Sequence, residues 1–287
     1  MSSPDAAASP NDRVLPATRI LSIAIIPFLV VAFVLLYFWP SADDTGRLFA
    51  WRIIPSFTPM VLAAVYLGGA YFFFRAARAQ QWHTVGGGFL SVGLFATLMG
   101  IATILHWSLF IHTNLAFWLW AVLYFTTPFL VFAVWWRNRS EQPPTPPGAL
   151  LVPIPAARLI GVAGVLAAAA SVVLFLFPGL AIDVWPWTLT QLTARVMGAI
   201  FALGAVGVAA LHHRRWSGMQ ILLQVEGLML ALIAVAALRA RDEFDPSKPL
   251  TWLFAVGFVA LAAGSAILYA RMQQRAARAG AAPSSTA

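Results

Sequence analysis

The stretch RILSIAIIPFLVVAFVLLYFWP, residues 19–40, decides the fold class. No charged residue follows Arg19 until Asp43. An apolar helix of about 20 residues is long enough to cross a bilayer core of about 30 Å. The whole chain has the same character, since 61% of its 287 residues are hydrophobic and only 10% are charged, whereas a soluble domain carries about 25% charged residues. The sequence therefore predicts an integral membrane protein.

Blocks of this length recur along the chain and predict eight transmembrane helices. Their lengths are those of helices, and the alternating strands of about ten residues that a membrane β-barrel needs do not occur. The predicted spans are 18–39, 54–74, 84–106, 115–136, 157–177, 189–211, 217–238 and 250–270. The predicted fold class is all-α.

The opening stretch has a second copy further along the chain. Residues 158–178 read RLIGVAGVLAAAASVVLFLFP, again beginning with arginine and ending in proline. FWLWAV at Phe117 matches TWLFAV at Thr251, 134 residues later, and Trp51 aligns with Trp187 in the segments between. Each copy holds four spans, so we expect two tandem four-helix repeats of the same orientation, related by a pseudo-two-fold axis along the membrane normal.

The composition outside the spans sets the predicted domain boundaries. Proline-rich and polar stretches without an apolar pattern favour extended or disordered backbone. The predicted units are a disordered cytoplasmic N-terminus (1–17), the first repeat (18–139), a Pro-rich cytoplasmic linker (140–156), the second repeat (157–271) and a basic disordered C-terminus (272–287).

The distribution of basic residues predicts the orientation. Twelve arginines lie on the side of the two termini, and six basic residues lie on the opposite side. Because loops rich in arginine and lysine are retained in the cytoplasm, both termini are predicted to be cytoplasmic. The net charge of +8 then reflects topology and contact with anionic lipid headgroups. It does not indicate a nucleic-acid partner, since the sequence offers no basic helix or aromatic-rich sheet outside the membrane.

Two strings, GRLFAWRI (46–53) and WPWTLTQLTAR (185–195), resemble those of multi-spanning membrane proteins from high-GC bacteria. The resemblance covers most of the chain and implies a bacterial inner membrane. The preference for arginine over lysine, 17 to 1, favours the same setting. The resemblance carries no activity, cofactor or site.

Glu226, within MQILLQVEGLMLALI (219–233), is the first candidate for a ligand or proton site. It lies roughly 13 Å into its span at about 1.5 Å per residue, where a charge is costly and usually faces a cavity or a partner. Its matching position in the first repeat is Val92, so the carboxylate is not a shared structural feature. The further members of this candidate site are Arg195, Gln220 and Gln224.

Both ionisable members of that site have alternative interpretations. Glu226 could be a protonated acid that is hydrogen-bonded to a serine, a threonine or a backbone carbonyl of a neighbouring helix. Arg195 could extend its side chain to the lipid headgroups, or hold Glu226 or an acidic residue of the outer loops. A second hypothesis is a shallow outer vestibule between the repeats, formed by Trp51, Arg52, His106, Trp187 and Arg239.

Cofactors are not predicted. Eight spans in two four-helix halves resemble haem A synthase in architecture, but a membrane haem needs axial histidines that face each other at one depth. The five histidines of this chain do not satisfy that condition; they are His83, His106, His112, His212 and His213. The absence of cysteine excludes thiolate metal sites and cysteine nucleophiles. No metal cluster and no Ser-His-Asp arrangement can be assembled from spacing.

The sequence favours a non-enzymatic membrane protein that binds or translocates an apolar or amphipathic small molecule, or a lipid, between its two repeats. The scarcity of polar residues inside the spans favours an alternative, an accessory or scaffold subunit of a larger membrane complex. A membrane redox or lipid-modifying enzyme is the third alternative. The expected partners are the lipid bilayer, a lipid or small apolar ligand, and other membrane proteins.

Overall fold

The computed structural model describes residues 12–139 and 148–281. Residues 1–11 of the predicted disordered N-terminus, 140–147 of the predicted linker and 282–287 of the predicted C-terminus lie outside these ranges. Within them, the chain is helical, and its only β-type contacts are two isolated bridges.

The described chain forms ten α-helices, eight of which take part in long apolar spans. They are α1 (Pro16–Phe38), α2 (Ala42–Leu48), α3 (Phe57–Arg78), α4 (Gly86–Leu105), α5 (Leu115–Asn138), α6 (Ile154–Leu176), α7 (Pro178–Ile182), α8 (Gln191–Gly204), α9 (Trp216–Arg239) and α10 (Pro249–Ala281). Short 3₁₀ segments lie at Trp82–Thr84, Trp107–Leu109, Ala205–Leu211 and Arg241–Glu243. Eight candidate membrane spans result, with α8 and Ala205–Leu211 together forming the sixth. The predicted all-α class with eight spans is confirmed.

Two spans differ from their predicted form. The sixth, predicted as one helix over 189–211, changes from α-helix to 3₁₀-helix after Gly204, where its backbone packs closely against α6. The eighth continues to Ala281, beyond the predicted end of the second repeat at 271. The added turns contain alanine, glutamine and arginine, which have high helix propensity.

The helices pack in matching pairs. In the first half α1 packs on α3 and α4 on α5, and in the second half α6 packs on α8 and α9 on α10. The halves meet where α3 packs on α9 and α4 packs on α8. Helix α3 is the most buried span, whereas α10 packs mainly on α9 and keeps its other faces exposed. Those apolar faces are the surface that contacts the lipid bilayer.

Several contacts occur twice, about 134 residues apart. The indole of Trp118 donates to the backbone carbonyl of His112 (2.9 Å), and the indole of Trp252 donates to that of Pro246 (3.0 Å). Two aromatic clusters correspond in the same way. In the first, Trp51 contacts Phe110 and Trp120, and in the second, Trp187 contacts Phe244 and Phe254. The two antiparallel bridges, Arg13–Gln81 and Leu151–Arg215, are a further matching pair.

Candidate functional site

Glu226 lies on α9 and faces α10. The Ser265 hydroxyl of α10 donates to Glu226 Oε2 at 3.2 Å. This bond is the arrangement given above as the alternative for Glu226, an acid that is hydrogen-bonded to a neighbouring helix. It runs within the second half of the chain and does not cross to the first half. The role of Glu226 as a proton site stays a prediction.

Gln224 belongs to a polar network that joins α3, α9 and α10. The Tyr71 hydroxyl donates to Gln224 Oε1 at 2.9 Å, and the Arg75 guanidinium donates to Tyr71 Oη (2.8 Å) and to Gln224 Oε1. Gln224 Nε2 donates to the Tyr269 hydroxyl at 2.8 Å. Gln220, one helical turn before Gln224, is hydrogen-bonded to the same hydroxyl. The network supplies oxygen acceptors to the Arg75 cation. Both glutamines were predicted from the sequence as site residues, whereas Tyr71, Arg75 and Tyr269 were not.

Arg195 contacts His106 across the two halves. Arg195 Nη1 lies 2.6 Å from His106 Nε2, which joins α8 to the residue that follows α4. Because a guanidinium can only donate, Nε2 is the acceptor and the ring is neutral in this geometry. Burial lowers the pKa of His106, and the positive charge of Arg195 lowers it further. No bond from Arg195 to Glu226 occurs among the hydrogen bonds of the described residues.

Acidification is expected to destabilise the protein through this contact. The folded state favours the neutral His106 ring, whereas the unfolded chain keeps the ordinary histidine pKa of 6.5. The contribution of neutral His106 to the free energy of unfolding is therefore fully present above pH 6.5. It decreases as the pH falls below that value, because the unfolded state binds the proton more readily. Thermal unfolding in detergent between about pH 7.5 and about pH 5 measures the effect. The His106→Gln variant should show a smaller pH dependence; an equal dependence in both proteins would contradict the prediction.

The two tryptophans of the predicted outer vestibule are core residues. Trp51 and Trp187 are 2% and 1% exposed, each inside its own aromatic cluster. The Trp187 indole donates to the Thr58 hydroxyl at 3.1 Å, so it ties the second half to the first. Neither side chain forms the floor of an open vestibule.

The two arginines of that vestibule have separate partners. Arg52 forms an exposed ion pair with Asp43 at 3.1 Å. Arg239 Nη1 donates to the backbone carbonyl of Tyr37 at 2.8 Å, near the end of α1, and its guanidinium also lies over the Tyr37 ring. Of the five residues predicted for the vestibule, His106 is the one that meets another predicted site residue, Arg195.

Glu243, which sequence analysis did not select, caps α3 from the other half of the chain. Its Oε1 accepts bonds from the Ser56 backbone N–H (3.0 Å) and the Ser56 hydroxyl, and its Oε2 accepts from the Phe57 N–H (2.8 Å). A carboxylate at this point satisfies N–H groups that have no intrahelical acceptor and complements the positive end of the helix dipole. In the sequence RDEFD nothing distinguishes this acid from its neighbours.

A cleft of about 600 Å³ opens at the end of the bundle where α1 and α9 begin and α10 ends. We call it the junction cleft, because both halves line it. Asp12 and His83 come from the first half, and Arg215, Trp216 and Ser217 come from the start of α9 in the second half. The C-terminal part of α10 completes the wall with Ala276 and Ala279.

Three side chains of the junction cleft form a hydrogen-bonded series of carboxylate, imidazole and hydroxyl. His83 Nδ1 contacts Asp12 Oδ2, and the His83 backbone N–H donates to Asp12 Oδ1 at 2.9 Å. His83 Nε2 lies 3.1 Å from Ser217 Oγ. The Asp12 and His83 side chains are only 12% and 14% exposed, whereas Ser217 is exposed to the cleft.

Local backbone contacts hold this series in place. The Trp82 N–H donates to the Asp12 carbonyl at 3.0 Å, so the chain before α1 lies against the segment that carries His83. The Trp216 N–H donates to the Leu150 carbonyl at 2.9 Å, so the start of α9, which carries Ser217, is held against the chain that precedes α6. Spacing could not reveal the series, since Asp12 and Ser217 lie 71 and 134 residues from His83.

The described helices define an all-helical, multi-pass membrane protein. Comparison of the chain with protein-family models, curated proteins and solved structures gave no match. The features that bear on function are the junction cleft and the contacts between the two halves.

Proposed function

We propose that this protein binds an amphipathic molecule in the junction cleft. The observation that carries the proposal is the cleft itself, about 600 Å³ in volume and lined by both halves. Ligand sites are typically clefts of about 300–1,000 Å³ with mostly apolar walls and a few placed polar groups. Here Leu150 and Trp216 supply apolar wall, while Asp12, His83 and Ser217 supply polar groups.

The cleft has a place in an inferred duplication. We infer two tandem four-helix repeats of the same orientation, supported by the matching helix pairs, hydrogen bonds and aromatic groups. Under that duplication the two contacts between halves, α3 with α9 and α4 with α8, are equivalent. His83 and Ser217 occupy matching positions, 134 residues apart. Matching residues that meet would lie at the axis of the inferred duplication, so their contact supports a pseudo-two-fold axis at the junction cleft.

The proposed setting is the bacterial inner membrane with both termini in the cytoplasm. The excess of arginine on the side of the termini supports this orientation. The junction cleft then opens to the cytoplasm at the level of the lipid headgroups, beside the exposed apolar surface of α10. An amphipathic molecule at that level can place its apolar part along the helices and its polar part in the cleft.

One observation favours a second candidate, an accessory subunit of a membrane complex. Helix α10 packs mainly on α9, and its remaining faces expose large apolar side chains. The most exposed of them are Trp252, Leu253, Val256 and Val259. Lipid alone can cover this apolar surface as well as a partner helix can. The surface therefore does not require a partner, and we rank the accessory subunit behind ligand binding.

Binding is tested by native mass spectrometry of gently extracted protein and by titration with a fluorescent lysophospholipid. The Ala276→Trp variant places a large side chain in the cleft from α10, and Ala277→Trp on the same helix is the matched control because residue 277 does not line the cleft. We expect the wild type and Ala277→Trp to bind the probe and Ala276→Trp to lose binding. Equal binding by all three proteins would refute the proposal, and retained protein partners without a ligand would favour the accessory subunit.

A further inference from the structure

We propose that Ser217 is a nucleophile that His83 and Asp12 activate, so that the junction cleft cleaves fatty-acyl esters by acyl transfer. This inference rests on the proposed binding of an amphipathic molecule in the same cleft. It replaces the sequence-based preference for a non-enzymatic protein. The reason is that the fold brings Asp12, His83 and Ser217 together, although their separation in the sequence gave no sign of it.

The geometry gives each ring nitrogen of His83 one partner. Nδ1 faces the Asp12 carboxylate and Nε2 faces the Ser217 hydroxyl at 3.1 Å. A nucleophile within about 2.6–3.2 Å of a base that a third group orients is the general signature of an activated nucleophile. The carboxylate also accepts the His83 backbone N–H, so it fixes both the position and the tautomer of the ring. Asp12 is thus a positioning residue.

Ser217 is placed for attack on a bound substrate. It is the second residue of α9 and is exposed to the cleft, whereas the base and the carboxylate beneath it are shielded. The first N–H groups of a helix have no intrahelical acceptor, and they carry the positive end of the helix dipole. The N–H groups of Ser217 and Gly218, in the first turn of α9, are therefore the donors that we assign to an oxyanion formed beside Ser217.

Gly218 allows the close approach of the two halves at this point. A Cβ atom at residue 218 would lie 3.0 Å from the backbone carbonyl oxygen of His83. A side chain there would require the His83 carbonyl to shift by a few tenths of an ångström. Glycine at residue 218 thus lets the segment that carries His83 pack directly against α9.

The reaction balances with water as the only co-reactant. Ser217 Oγ attacks the acyl carbonyl carbon and its proton passes to His83 Nε2. The C–O bond to the leaving alcohol breaks, and the alcohol leaves with the proton from His83. Water then attacks the acyl-serine ester, again through His83, and the products are a fatty acid and free Ser217. The apolar wall formed by Ala276 and Ala279 of α10 is where the acyl chain would lie.

The test is covalent labelling of the full chain in detergent with an alkyl fluorophosphonate, combined with hydrolysis of p-nitrophenyl octanoate. We expect one adduct, on Ser217, and none in Ser217→Ala. His83→Gln should lower the labelling rate by about 100-fold or more, as for the loss of a general base. Asp12→Asn should lower kcat with little change in KM, and Asp12→Glu should restore part of it. Ser247→Ala, in the loop before α10, is the control and should react as the wild type does.

Two further measurements separate the outcomes. Thermal unfolding of each variant shows whether it folds, and titration with the fluorescent lysophospholipid shows whether it binds. A wild type that binds the probe but is not labelled at Ser217 refutes the acyl-transfer inference and leaves the proposed binding intact. A wild type that neither binds nor reacts refutes both. Loss of thermal stability in Ser217→Ala, without labelling of the wild type, would show that the series is only a structural link between the halves.

Discussion

Glu243→Gln is expected to destabilise the protein by about 1–4 kcal/mol. The carboxylate accepts bonds from the Ser56 and Phe57 N–H groups and from the Ser56 hydroxyl. The glutamine amide offers one oxygen, so one buried donor at the start of α3 loses its acceptor, which costs about 1–3 kcal/mol. Loss of the negative charge at the helix N-terminus adds about 0.3–1 kcal/mol. Equilibrium unfolding in mixed micelles measures the difference.

Asp242→Asn provides the matched control. Asp242 precedes Glu243, its side chain is 93% exposed, and its ion pair with Arg241 has a distance of 3.7 Å. Removing this charge should change the free energy of unfolding by less than about 0.5 kcal/mol. The explanation by helix capping fails if the two variants lose equal stability, or if Glu243→Gln unfolds as the wild type does.

Gly164→Ala is expected to destabilise the protein by about 1–3 kcal/mol, the usual range for overpacking. A Cβ atom at residue 164 would lie 2.6 Å from the backbone N of Val208 and 2.9 Å from the carbonyl carbon of Gly207. Both atoms belong to the backbone of the segment Ala205–Leu211, so they cannot turn aside as a flexible side chain can. The segment must move away from α6, which opens the interface for every residue along it. Thermal unfolding in detergent measures the loss.

Gly257→Ala is the control for this effect. Gly257 is a helical residue of α10, and a Cβ atom there meets nothing within 4 Å. Alanine is favoured over glycine in a helix by about 1 kcal/mol, so this variant should be as stable as the wild type or slightly more stable. An equal gain in stability at residues 164 and 257 would mean that helix propensity, and not backbone contact, decides the outcome.

Hydropathy predicted the spans because the bilayer imposes a length on each of them. The fifth helix begins at Leu115, as predicted, and the other starts differ by a few residues. The change to 3₁₀-helix after Gly204 was not predicted; it occurs where Gly207 of this segment packs closely against Gly164 of α6. Helix–helix distance is a property of two segments, and neither segment reveals it alone.

The candidate sites were predictable as residues and not as pairs. Arg195 was predicted as a member of the Glu226 site and His106 as a member of the outer vestibule, yet the two contact each other across 89 residues of sequence. Asp12 was missed because it falls in a polar stretch before the first span. One signal was available: under the inferred duplication, residues at matching positions near a two-fold axis become neighbours, and His83 and Ser217, 134 residues apart, would be such a pair.

The contact between His83 and Ser217 bears on the origin of the chain. In a homodimer of identical four-helix subunits, a residue on the two-fold axis meets its own copy, so such a pair is always two histidines or two serines. A base facing a hydroxyl requires two copies that mutate independently, which a duplicated gene provides whether or not its copies are fused. Under the inferred duplication the asymmetric pair is therefore younger than the duplication, and a symmetric ancestor could not have divided the roles of base and nucleophile at its axis.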